Sequence, residues 1–140
     1  RKTIKCGGAF IAEYITEIRD FANALDTDLN FIKDATLDAA TEIEAITQFI
    51  IEQAAENVEF PNSTAVDYLS AVGLLSFSYM FAKIAAAAKD KSGDFYQNKL
   101  ALAQYFVDRI LPELDSRLAK IKSGSDLIMN FSEDYFTNQA

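Results

Sequence analysis

Apolar residues recur every three or four positions along most of this chain, the spacing of one face of an α-helix. No stretch alternates with the two-residue period of a strand. Four long helices are predicted. Over residues 9–25, Phe10, Ile11, Tyr14, Ile15, Ile18, Phe21, Ala22 and Leu25 form the stripe, with Glu13, Glu17, Asp20 and Asn23 opposite. Over residues 29–57 the stripe is Ile32, Ala35, Ala39, Ile43, Ile46, Ile50 and Ala54, and a break near Asp34 is the alternative to one continuous helix. The third helix, residues 65–89, is apolar almost all round. The fourth, residues 95–122, carries Leu100, Ala103, Val107, Ile110, Leu114, Leu118 and Ile121.

The joints between them are short and polar. Asp26-Thr27-Asp28 offers turn and N-cap side chains. Pro61 is expected to end the second helix, because the residue before a proline avoids the α region. Thr64 and Asp67 then have capping-box spacing for the third. Gly93 suits a left-handed C-cap, and Asp94 with Gln97 suits the next N-terminus. Pro112, inside the fourth helix, removes the hydrogen bond to the Asp108 carbonyl and predicts a kink. Gly124 is the expected C-cap, and Ser132 is the expected N-cap of a short tail helix. Short joints force neighbouring helices antiparallel. The fold class expected is all-α: an antiparallel four-helix up-and-down bundle over residues 9–140 with a short C-terminal tail helix. Residues 1–8, which end in Gly7-Gly8, read as a linker.

A helix that is hydrophobic on every side lies inside a bundle or spans a membrane. Only 15 uncharged residues separate Asp67 from Lys83, short of the roughly 20 that a span needs. The central-helix reading is therefore preferred and no membrane span is expected. Ser78, Ala82 and Ala86 lie four apart on this helix, a thin stripe where another backbone can come close. Such a stripe serves tight internal packing or contact with another domain.

Composition narrows the chemistry. The chain holds 21 acidic and 13 basic residues, a net charge of −8. Nucleic acid is not expected as a partner, because its recognition needs clustered Lys and Arg. There is no histidine. That removes the usual serine and cysteine triads, histidine-ligated metals and the Glu-x-x-His di-iron bundle. The single cysteine, Cys6, is expected to be inert and fits a reducing, cytoplasmic compartment. No glycine-rich phosphate loop is present. The acidic residues lie on polar helix faces and read as solvated charge rather than general acids or bases. No catalytic, cofactor-binding or metal-binding residue is assigned.

One string is more specific. Phe95, Tyr96, Lys99, Ala103, Phe106, Leu111, Pro112 and Glu113 stand in the pattern F-Y-x-x-K-x-x-x-A-x-[FY]-F-x-x-x-x-L-P-E. This resembles the extra C-terminal helical domain of one branch of the acyl-CoA dehydrogenases. Tyr68, Leu69, Gly73, Met80 and Ala82 are similar to the helix before it, and Ile121, Gly124 and Met129 to its closing segment. The resemblance is strongest over residues 67–129; the first two helices agree in pattern only. Arg1-Lys2 and Gly7-Gly8 look like the linker from an upstream body, and a chain that starts at Arg1 is expected to be part of a longer polypeptide.

The resemblance implies a parent enzyme that uses FAD to oxidise an acyl-CoA between its α and β carbons. A carboxylate of the parent removes the α proton and the flavin accepts the hydride. Those groups would lie upstream, so no cofactor is expected in this chain itself. Its expected partners are the dehydrogenase body and further copies of the parent, a homo-oligomer. The expected interaction surface is Ser78, Ala82, Ala86, Tyr96 and Lys99. Lys99 could meet a carboxylate or a CoA phosphate, although a lone surface pair contributes only ~0–1 kcal/mol. Two alternatives remain: a free-standing bundle that binds an apolar ligand or partner helix, and a small enzyme in its own right.

Overall fold

In a computed structural model, residues 2–126 are described. They are helical throughout and contain no strand. A single turn, α1 (Lys2–Lys5), precedes α2 (Ala9–Asn23). A 3₁₀ turn, Thr27–Leu29, leads into α3 (Asn30–Glu56), followed by α4 (Phe60–Ala88). The fourth long segment is α5 (Asp94–Tyr105), a π turn (Phe106–Ile110) and α6 (Glu113–Lys122). The expected tail helix at Ser132 lies outside the described residues.

The order is up, down, up, down, as short joints require. Helix α4 is central, against α3 on one side and α5 and α6 on the other, and α2 covers α3. Ile15, Ile18, Ile43, Ile46, Leu75, Phe106 and Ile121 are fully buried and form the main core. Burying a side chain of that size contributes ~1.5–3 kcal/mol. A smaller cluster at the other end is built from Leu29, Ile32, Ala82, Ala85 and Ala103. Two ion pairs brace neighbouring elements: Lys89–Asp26 at 2.7 Å joins the end of α4 to the turn before α3, and Arg117–Asp67 at 3.0 Å joins α6 to α4. Along the α2–α4 seam, the Tyr79 hydroxyl donates to Glu17 at 2.8 Å. Lys83 Nζ sits 3.9 Å from the centre of the same tyrosine ring.

Several local expectations are corrected. Helix α3 is continuous through Asp34. Pro61 opens α4 instead of closing α3. In the first turn of a helix its missing N–H costs nothing and its fixed φ helps. Thr64 therefore sits inside α4, and its hydroxyl donates back to the Phe60 carbonyl at 3.1 Å rather than capping. Gly93 is not a left-handed C-cap: with φ 108° and ψ 153° it starts α5, and its carbonyl accepts from the Tyr96 and Gln97 N–H groups. Asp94 is the first helical residue and makes no side-chain cap. Asp26 and its neighbours do form a turn, but Asp26 pairs with Lys89 instead of capping α3. Gly124, at φ 87°, does take the left-handed position after α6.

The interruption at Pro112 has a specific form. The Leu111 N–H reaches past the normal α partner to the Phe106 carbonyl, at 2.9 Å. The turn before the proline is thus widened by one residue, a π turn. On a regular α-helix, residues five apart point in different directions. On the widened turn, Phe106 and Leu111 both reach the core. This displaces the predicted stripe: Val107 and Ile110 are only half-buried.

Candidate interaction surface

Helix α4 carries apolar residues on two sides. Its inward side mixes the buried Leu75 and Tyr79 with small residues: Ala71, Ser78, Ala82 and Ala85 are wholly buried. The outward side is large: Val66, Leu69, Phe77, Met80 and Ile84 are exposed at three- and four-residue steps, with Gly73 between. Helix α5 adds Phe95, Leu102 and Tyr105, and apart from Phe10 and Val58 these account for all the large exposed apolar side chains of the described residues. Ile84 and Phe95 line one shallow groove, shared with Ala87, Ala88, Lys91, Tyr96 and Lys99. A concentration of this kind marks an interaction site more often than scattered single exposures do. Helix α4 is also the one described helix long and apolar enough to cross a membrane. Its inward side is spent on α3, α5 and α6.

The five residues assigned to a surface from sequence separate into two groups. Ser78 and Ala82 are fully buried, so they meet α3 and α5 and are not part of a surface. Within that layer the Ser78 and Thr36 hydroxyls share a hydrogen bond of 2.6 Å. Thr36 also donates to the Ile32 carbonyl, so Ser78 supplies the proton between the two. Ala86 is half-buried against the smaller cluster. Tyr96 and Lys99 do come together, in the groove with Ile84 and Phe95. Lys99 Nζ lies 5.1 Å from the centre of the Phe95 ring, and Lys91 Nζ lies 5.0 Å from that of Tyr96. Both are cation–π contacts at a wet site, worth roughly 0.5–1 kcal/mol each. The lysines frame the groove and carry no carboxylate partner among the described residues.

Sequence periodicity missed the larger residues of this surface, because it treated α4 as covered on all sides. The signal was present: Val66, Leu69, Phe77, Met80 and Ile84 form a second stripe at helical spacing, which α3 and α5 alone cannot cover.

A family model described as acetyl-CoA dehydrogenase C-terminal like matches residues 14–132. The chain belongs to that family. No curated protein and no solved structure matches it. In this acetyl-CoA dehydrogenase C-terminal-like chain, the string Phe95 to Glu113 divides between packing and the exposed side that holds Phe95, Tyr96, Lys99 and Tyr105. Ala103 lets α5 approach α4, Phe106 stacks on Phe81 at 4.7 Å between ring centres, and Leu111 and Pro112 complete the π turn.

A second hollow lies at the opposite end of α4. Ile4, Ile11, Ile50, Pro61, Ala65, Leu69 and Val72 wall a half-enclosed pocket of about 420 Å³, together with Thr3, Thr47, Thr64 and Tyr68. A third, more open, is flanked by Asp38, Glu42 and Asp115 beside Pro112. Cys6, in the turn before α2, faces backbone N–H groups, chiefly that of Phe10, which hold its thiol below the ordinary range.

Proposed function

We propose that this chain is the accessory C-terminal helical domain of an FAD-dependent acyl-CoA dehydrogenase. On this reading it docks through the outward side of α4 and α5 onto the dehydrogenase body or a neighbouring copy of the parent. The observation that carries the reading is that apolar side, with Phe77 59% and Phe95 64% exposed, in a chain of this family. Burial of such side chains against a partner supplies about 25 cal/mol per Å² of apolar area. Residues 1–8 would lead in from the body, and the whole would work in the cytoplasm.

The chemistry is assigned to the body. Neither larger pocket suits a flavin dinucleotide: one has no charged wall residue, and the other presents Asp38, Glu42 and Asp115, which repel a diphosphate. The domain itself contributes position and stability. On this reading, proton abstraction and hydride transfer belong to the body.

The test is to express the complete reading frame that contains this sequence. The purified protein should show flavin absorbance that bleaches with acyl-CoA, and the 140-residue chain alone should show neither. In the whole protein, α4 and α5 amides should exchange hydrogen more slowly than in the isolated chain. Phe77→Asp with Leu102→Asp should remove that difference. A reading frame without a flavin-binding body would overturn the parentage, and equal exchange in both forms would overturn the docking.

A further inference from the structure

The pocket at the α1 end of α4 has a different character from the docking side. Its walls come from α1, α2, α3 and α4, and no charged residue lines it. Seven of its lining residues are aliphatic or proline. Three of the four polar ones are already engaged. Thr47 donates to the Ile43 carbonyl at 2.6 Å, which leaves its oxygen to accept from the Tyr68 hydroxyl at 2.8 Å. Thr64 donates to the Phe60 carbonyl. Burial raises the Tyr68 phenol above its ordinary pKa, so it stays a neutral donor. An occupant therefore finds mainly apolar contact and no charged partner.

The roof is preformed. Helix α1 is folded back by Gly7 and Gly8, both at positive φ, with the Gly8 N–H bonded to the Thr3 carbonyl at 2.8 Å. A Cβ on Gly8 would lie 3.2 Å from Ile51 Cδ1, so glycine also permits the close seat of this turn on α3. Thr3 and Ile4 are thereby held over the cavity. At about 420 Å³ the hollow falls within the ~300–1,000 Å³ range of small-molecule sites. The exposed Ala65 and Leu69 mark its mouth on α4.

We propose that this pocket binds the alkyl chain of a soluble single-chain amphiphile, such as a medium-chain fatty acid, with the polar head left in solvent. A charged head would be desolvated inside without a partner, at a cost of several kcal/mol. The tail alone matches the walls. The mouth borders the outward side of α4 at Leu69, but the other walls are its own, and occupancy does not depend on the accessory-domain reading.

The probe is dodecanoic acid, titrated below its micelle concentration into the 140-residue chain and followed by methyl NMR. The Ile4, Ile11 and Ile50 methyls should shift together and saturate as one site, while Ile32, in the smaller cluster at the other end of the bundle, stays still. Leu69→Asp changes an exposed residue at the mouth, so the fold is retained, and it should weaken binding more than tenfold. Ala65→Trp should do the same by filling the mouth. Leu102→Asp, on the docking side, should leave affinity unchanged. Shifts that never saturate, or an affinity indifferent to Leu69→Asp, would overturn the site. So would an absence of shifts with dodecanoic acid alongside Leu69-dependent sedimentation with phosphatidylcholine vesicles, which would assign the contact to a bilayer.

Discussion

Helices α3 and α4 are almost equally long, yet their outer surfaces are opposites. Helix α3 buries Ile32, Ile43, Ile46 and Ile50 and leaves Asp34, Asp38, Glu42, Glu44, Glu52 and Glu56 in water. None of its large apolar side chains is exposed. Helix α4 also buries Leu75 and Tyr79, but beside them it turns small residues inward and large ones outward. Ser78, Ala82 and Ala85 face inward, where α3 and α5 approach closely, and Phe77, Met80 and Ile84 face outward. A helix that only completed a bundle would be built like α3. Much of the surface of the large outward residues of α4 stays uncovered in the bundle seen here, which is why they point to a cover supplied by other protein.

The contrast is sharpest between two phenylalanines. Phe106 is 1% exposed and stacks on Phe81, whereas Phe77 is 59% exposed. Phe106→Ala should cost ~3–5 kcal/mol in the 140-residue chain, by lost burial and the cavity left behind. Phe77→Ala should change stability by no more than about 0.5 kcal/mol. Urea unfolding of both variants checks the pair, and comparable losses would dissolve the distinction between the two sides.

The small inward residues make a second contrast. Ala82→Leu adds volume where there is none and should cost ~1–3 kcal/mol. Ala87→Leu, exposed beside the α4–α5 groove, should stay within about 0.5 kcal/mol. Thermal melts of the two variants would show whether thinness at Ala82 is a packing requirement or an accident of composition.

Much of this was legible from periodicity alone. Helix number, order and antiparallel arrangement follow from four apolar stripes joined by short polar turns. The stripes of α2 and α3 are close to those found, although Phe10 lies in solvent. What periodicity could not supply is direction. A helix that is apolar all round gives no sign of which side meets its own chain, so the Ser78 and Ala82 stripe reads equally as internal packing or as a surface, and nothing marks Phe77 and Met80 as the exposed ones. The π turn was equally hidden. Pro112 announced an interruption, but the one-residue widening shows only when Phe106 and Leu111, five apart, prove to share the core. The joints failed for a related reason: Pro61 and Gly93 are compatible with ending one helix or starting the next, and tertiary packing decides.

The outward side makes a prediction of its own. Phe77→Lys with Leu102→Lys should leave the stability of the isolated chain within about 0.5 kcal/mol of the parent sequence. Retention on a phenyl column should fall clearly, because the concentrated apolar side has been broken. Ala45→Lys, on the exposed face of α3, should leave retention nearly as it was. Equal effects from the two changes would mean that α4 and α5 present nothing special to a partner.

The smallest expected effect concerns the link between the two sides. Asp26, in the joint before α3, meets Lys89 at the end of α4. The hydrogen bond from the Lys89 ammonium, with its charge, holds the Asp26 carboxyl below the ordinary range. A carboxyl depressed on folding contributes stability above its unfolded pKa of about 3.9. That contribution is lost as pH falls through the lower folded value. Asp26→Asn should therefore lower the melting temperature slightly at neutral pH and leave it unchanged in strong acid, giving a flatter acid limb than the parent sequence. Because Asp26 is largely exposed, about 1 M salt should shrink the difference by screening. An Asp26→Asn chain whose deficit persists undiminished in both acid and salt would show that the joint is held by packing, leaving α3 and α4 coupled only through their shared core.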